Sequence, residues 1–249
     1  MPMNIVVALC QVPDVAPLVV DGALDLSRVS MVMNPYDEYA LEEALRCRER
    51  FPNCTVTAVT VAALPPQELL RKALALGVDR AVFVESEELR DSYSIASRVS
   101  EAIRMLFSEQ LPELCFFGKQ STDYQSGAVP AMVAHLLGLP FVSAITSLTP
   151  TAEQVEVTRD IEGGSESFMV AYPALFSTEK GLNELRHTTV KMVMEGRKKK
   201  VEHLVLPLQS VAPRVALQHV QPLERSTTCT MFTNEAALAS LLAGYRAAL

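Results

Sequence analysis

The sequence predicts one α/β domain built on a doubly wound parallel sheet. Two observations predict it. Short apolar runs recur along residues 1–145, at Ile5–Cys10, Thr55–Ala62, Ala81–Val84 and Leu114–Phe117. Stretches with helical apolar spacing separate them. Strand–helix–strand alternation implies right-handed crossovers, which cover both faces of the sheet and allow continuously apolar strands.

Each run is rich in Val, Ile or Phe and bounded by polar residues or turn formers. The first helix begins at Asn34-Pro35, a good N-cap followed by a residue suited to the first helical position. Asp37 and Glu38 place negative charge in its first turn, where the helix dipole favours it. Tyr36, Ala40, Leu41, Ala44 and Leu45 form one stripe. The second helix starts near Pro65-Pro66, carries Leu69, Leu70, Ala73, Leu74 and Leu76, and stops at Gly77. A third spans residues 92–109. A fourth runs from Gly127 to Leu137 and stops at Gly138.

Val155–Ile161 and Ser165–Tyr172 read as a hairpin turning at Gly163-Gly164, an antiparallel extension of the same sheet. From Lys180 the periodicity weakens. Residues 203–230 carry Pro207, Pro213 and Pro222 and no clear elements, and Ala236–Ala248 reads as a closing helix. The chain therefore divides into a domain over 1–202 and an arm over 203–249. An irregular arm needs a surface to pack on, so it is expected to wrap a partner chain.

Hydrophobic residues make up 49% of the chain and aromatics 6%, with no Trp, so Ala, Val, Leu and Met must fill the core. The net charge of -7 argues against a general nucleic-acid role. The cysteines (Cys10, Cys47, Cys54, Cys115, Cys229) include no CxxC pair, and the four histidines show no metal-ligand spacing with them. Reduced thiols suit a cytoplasmic protein. The amino terminus lacks the features of a signal peptide, and no apolar stretch reaches the ~20 residues of a membrane span. No GxGxxG, GxxxxGK[ST], GxSxG or HExxH occurs. Neither a catalytic residue nor a metal ligand is therefore expected.

Ligands of such sheets bind beyond the carboxyl ends of the strands. Three segments lie there: Gln11–Asp14, Thr60–Pro66 and Gly118–Gly127. The last enters a helix through small polar residues. Its backbone amides can hold a phosphate, or it is an ordinary connection with Ser126 as N-cap. Arg197–Lys200 is either a solvated basic run or a docking surface.

The chain resembles the beta subunit of electron-transfer flavoprotein, within the adenine-nucleotide-hydrolase-like superfamily. The matching segments are Val12-Pro13-Asp14, Met33–Glu38, Arg71–Arg80, Gly118-Lys119-Gln120 with Asp123, Thr158–Gly164 and Leu182–Arg186 with the lysine run. They keep their order over residues 4–202. The resemblance implies an electron carrier, not an enzyme, paired with an alpha subunit with which FAD is shared. This subunit would bind AMP, or a second FAD in electron-bifurcating members. Acyl-CoA or other flavin dehydrogenases would donate electrons and a membrane quinone oxidoreductase would accept them, with no membrane insertion. The implied nucleotide contacts are Ala8, Asn34, Val61, Gly118, Asp123, Ser126, Gly127, Ala128 and Val129. Ala8 and Val61 read equally as core, and Asn34 as an N-cap. Tyr36 and Val15 match positions facing the shared flavin, Tyr36 reading also as helix packing. Glu184, Arg186, Val190, Arg197 and Lys198 fall in a partner-recognition loop over 184–200.

This sequence departs from the family pattern at Val15, often Tyr, at Cys10, usually Lys, and at Lys191, usually Pro. Pro130 closes the phosphate loop where the family has Gly, and the loop's Gln is missing. Two other readings remain. One is an AMP- or ATP-binding homodimer like universal stress proteins, which lack residues resembling 180–249. The other is a nucleotide-dependent enzyme of the same superfamily, disfavoured by Gln11-Val12-Pro13-Asp14 after the first strand.

Overall fold

Successive residues of the first strand face two different layers of helices. Ile5 and Val7 join one apolar cluster, with Leu41, Leu45, Leu70 and Leu74. Val6 joins the other, with Val99, Ile103, Val133 and Leu137. All three strand residues are inaccessible to water, and each such aliphatic side chain contributes about 1.5–3 kcal/mol by burial. This two-sided covering is why the strand reads as a continuous apolar run.

The computed structural model describes residues 3–20, 22–51, 53–86, 91–207, 212–218, 220–221, 235 and 239. In chain order the strands and helices are β1 (Met3–Ala8), β2 (Gln11–Pro13), β3 (Leu18–Val20), β4 (Ala23–Asp25), β5 (Met31–Met33), α1 (Pro35–Arg50), β6 (Cys54–Ala62), α2 (Gln67–Leu76), β7 (Arg80–Glu85), α3 (Ser92–Leu106), β8 (Leu114–Gly118), α4 (Ala128–Leu137), β9 (Phe141–Pro150), β10 (Gln154–Ile161), β11 (Gly164–Ala171), β12 (Ala174–Thr178), α5 (Val190–Lys198) and β13 (Val201–Val205). Nine strands form one sheet in the order β11-β10-β9-β12-β8-β1-β6-β7-β13. Pairing is parallel from β9 to β13. It is antiparallel at β9–β10 and β10–β11.

The doubly wound α/β fold is the expected one. All four apolar runs are strands and the four helices lie where the spacing places them. The hairpin turns at Gly163, whose φ is +84°. Several details differ. Gly127, in the left-handed conformation, caps α4, not Ser126. The third helix ends at Leu106, not 109, with Phe107 as its C-cap. Strands β9, β12 and β13 have no signature in the apolar pattern. β12 has only five residues, while β13, Val-Glu-His-Leu-Val, is an exposed edge strand.

The segment expected as a recognition loop over 184–200 contains α5, capped by the Thr189 side chain. Arg186 ties the approach to α1: it meets Glu42 at 2.7 Å and Glu49 at 2.8 Å. Asn183 Nδ2 donates to the Tyr39 carbonyl and to Glu43. The start of the arm packs on its own domain. β13 pairs with β7, so the division at 202 falls inside a strand. Arg80 makes two hydrogen bonds to Glu202, and His203 stacks on Phe83 with centroids 5.1 Å apart. Apart from Ala239, the closing helix expected at 236–248 lies outside the described residues, as do Cys229, His219 and most of the arm expected to wrap a partner. Among the described residues no helix is long and apolar enough to cross a membrane. None of their His, Cys, Asp and Glu side chains group in a way that could hold a metal ion.

Candidate functional site

β8, β1 and β6 lie side by side at the centre of the sheet, so their carboxyl ends meet. The start of α1 closes over them through Asp37. This buried carboxylate accepts hydrogen bonds from the Cys10 amide at 2.7 Å, the Gly118 amide at 3.1 Å and Asn34 Nδ2 at 2.9 Å. It thus joins the chain after β1, the end of β8 and the helix. Asn34 Nδ2 also reaches the Gln120 carbonyl at 3.0 Å. The Asn34 side chain makes no N-cap hydrogen bond; it is spent on this knot.

Two polar atoms here lack a partner among the described residues, Asn34 Oδ1 and Thr60 Oγ1. Their residues are 1% and 2% exposed. A buried polar group without a partner costs about 1–3 kcal/mol. Asn34 lies at the start of α1 and Thr60 near the end of β6, and each keeps an unused hydrogen-bonding capacity there. Ala8 and Val61 are half-buried on β1 and β6 and pack against the apolar cluster under α3 and α4. Gly118 is buried because nothing larger fits: a Cβ there would stand 2.8 Å from Tyr36 Cβ and 2.9 Å from the Asp37 amide nitrogen.

Gly127, Ala128 and Val129 form the half-buried start of α4. Pro130 follows and has no N–H to offer. Ser126 is exposed, its hydroxyl 3.2 Å from that of Ser92 at the start of α3. Asp123 is exposed and accepts from the neighbouring Tyr124 amide. Val15 is exposed. Tyr36 is half-buried, its carbonyl accepting from Thr178 Oγ1. The knot thus gathers Asn34 and Gly118, with Ala8 and Val61 on the adjoining strand ends, while Asp123 and Val15 stay at the surface.

A separate surface carries the basic run. Val190, Arg197 and Lys198 on α5 are exposed, as is Glu184 before it. Val190 and Met194 project one helical turn apart. Lys199 points back to the Val78 carbonyl at 2.6 Å, so the outward charge comes from Arg197, Lys198 and Lys200.

Asp37 was not legible as a site residue, and Thr60 only as the first residue of a strand-end segment. Asp37 has the signature of a first-turn acid, and nothing local shows that β8 arrives above it. Burial pushes its carboxyl from 3.8 up to about 6, against the hydrogen bonds from Cys10, Asn34 and Gly118. Burial and the same carboxylate push the Cys10 thiol upward, so Cys10 supplies no charge. Moving a carboxyl by this much disfavours its charged form in the fold by about 3 kcal/mol. The folded chain binds this proton more readily than the unfolded chain. The contribution is therefore present below about pH 4 and lost as pH rises through 6. Denaturant melts from pH 4 to 7 should show wild type losing about 3 kcal/mol relative to Asp37→Asn, which cannot titrate. Parallel curves would show that the carboxyl is not so perturbed.

The electron transfer flavoprotein domain family matches residues 21–208. The chain is 35% identical over 188 residues to the electron transfer flavoprotein subunit beta of Bacillus subtilis, covering 74% of this chain and 71% of that protein. It is 30% identical over 206 residues to the subunit beta of Syntrophomonas wolfei, covering 83% and 77%. The Mus musculus subunit beta is 31% identical over 234 residues, covering 92% of this chain and 89% of its own. By these likenesses the chain belongs to the electron transfer flavoprotein beta-subunit family.

Proposed function

We propose that this chain is the beta subunit of a heterodimeric electron-transfer flavoprotein. It holds AMP in a structural role at the strand ends and shares FAD with an alpha subunit. The carrying observation is the pair of buried, unpartnered atoms, Asn34 Oδ1 at the start of α1 and Thr60 Oγ1 near the end of β6. Both oxygens can accept from ligand N–H or O–H groups, and the Thr60 hydroxyl can also donate. Ala8 lets a ligand approach the backbone. The amides of Gly127, Ala128 and Val129 would hold the phosphate.

The knot's own residues neither gain nor lose electrons; they position the cofactor and exclude water from it. Tyr36 and Val15, beside the knot, would face the shared flavin. Val190 and Met194, ringed by Lys191, Arg197 and Lys198, suit docking on acidic faces of acyl-CoA or other flavin dehydrogenases. A quinone oxidoreductase would take the electrons onward, and the pair would work in the cytoplasm.

Co-expression with an alpha subunit, followed by extraction and mass spectrometry, tests this. The expected result is a yellow complex that releases AMP and FAD in equal amounts. FAD in excess with no AMP would point to a second flavin in this subunit, as in a bifurcating complex. A complex without any adenine compound at this site would overturn the nucleotide reading.

A further inference from the structure

The arm meets α3 at two places, midway along it and at its amino-terminal end. Arg98, midway along α3, donates from Nη1 to the Pro207 carbonyl at 3.1 Å. The Arg214 and Val215 amides then donate to Asp91 Oδ2 at 2.6 and 3.0 Å. Asp91 stands about two helical turns, roughly 10 Å, before Arg98. Residues 212–218 therefore lie at the amino-terminal end of α3, the end that follows β7 and faces the strand-end loops.

Asp91 divides its carboxylate between two tasks. Oδ1 accepts from the Ser94 amide and caps α3, and Oδ2 holds the arm. The Arg214 guanidinium lies over the Tyr93 ring, 4.9 Å from its centroid. Next to Tyr93, the Ser92 hydroxyl meets that of Ser126, immediately before the start of α4. A cation from the arm is thus fixed on Tyr93, whose neighbour in sequence, Ser92, joins α3 to the segment before α4.

The pocket needs such a group. Pro130 offers no amide, the Cys10 thiol is held neutral, and Lys119 is paired with Glu179. Backbone amides alone would face a phosphate of nearly two negative charges. A guanidinium held on an aromatic face is pre-organised for that anion.

We propose that Arg214 is an anion-contacting residue of this site, positioned by Asp91 and Tyr93 so that the arm supplies charge to the bound phosphate. This rests on the adenosine-phosphate reading above. Equilibrium dialysis of AMP and of adenosine against the full chain tests it. In Arg214→Gln, AMP should bind about tenfold more weakly, with adenosine unchanged and the salt dependence of AMP binding reduced. Arg214→Lys should recover part of the loss. Asp91→Asn should weaken AMP binding while Arg214 is still present, and Arg50→Gln, a charge change on the far end of α1, should not. Equal AMP binding by wild type and Arg214→Gln would overturn this inference and leave the nucleotide reading standing. So would equal losses for AMP and adenosine, which would mark a merely structural role. Failure of wild type to bind AMP would overturn both.

Discussion

Gly118→Ala should destabilise the fold by about 3 kcal/mol and abolish retention of any adenine nucleotide. The added methyl would stand 2.8 Å from Tyr36 Cβ and 2.9 Å from the Asp37 amide nitrogen. Neither neighbour can retreat. The Asp37 side chain is held by three donors from three parts of the chain. Behind Tyr36, Thr178 Oγ1 donates to its carbonyl. The first turn of α1 would have to lift off β8, carrying Asn34 away from Gln120. Gly164→Ala is the matched control. It meets nothing within 4 Å and lies outside the left-handed region, so it should melt like wild type. Urea unfolding of both variants decides the matter. A Gly118→Ala midpoint equal to wild type would show that α1 is not pinned to β8.

Gly196→Ala should cost about 1–3 kcal/mol and displace α5 from α2. A Cβ there would come within 2.7 Å of the Ala75 amide nitrogen and 2.8 Å of its Cα. This contact is backbone against backbone, so no rotamer change relieves it. The knot is unaffected, because its residues touch α1, β1 and β8 but not α5. Nucleotide content should therefore persist while docking of a dehydrogenase weakens. Arg186, bonded to Glu42 and Glu49, still holds the approach to the helix. Nucleotide loss in this variant would show that the two surfaces are coupled.

These substitutions differ in how far they could be foreseen. Gly77 and Gly138 read as helix stops from the sequence, and they are. Gly118 was legible as a strand-end residue, but its collision with Asp37 depends on a helix 81 positions away in the chain. Gly196 sits in a basic stretch with no apolar stripe strong enough to announce α5. Asn34 looked like an N-cap, and the backbone does begin a helix there, yet its side chain serves β8. In each case the local part of the reading holds and the distant partner is missing from it.

By itself the sequence determined the α/β class, the central strands, four helices, the hairpin and the beta-subunit likeness. Each leaves a mark within a few neighbours: an apolar run, a helical stripe, a glycine stop or an ordered motif. Tertiary structure alone decided that Asp37 is the buried clasp, that β9, β12 and β13 widen the sheet, and that Asp91 seizes Arg214 and Val215. Short or edge strands and single polar side chains acquire their roles from partners brought in by chain crossovers. Hydrophobic periodicity records which face is buried, not what lies against it.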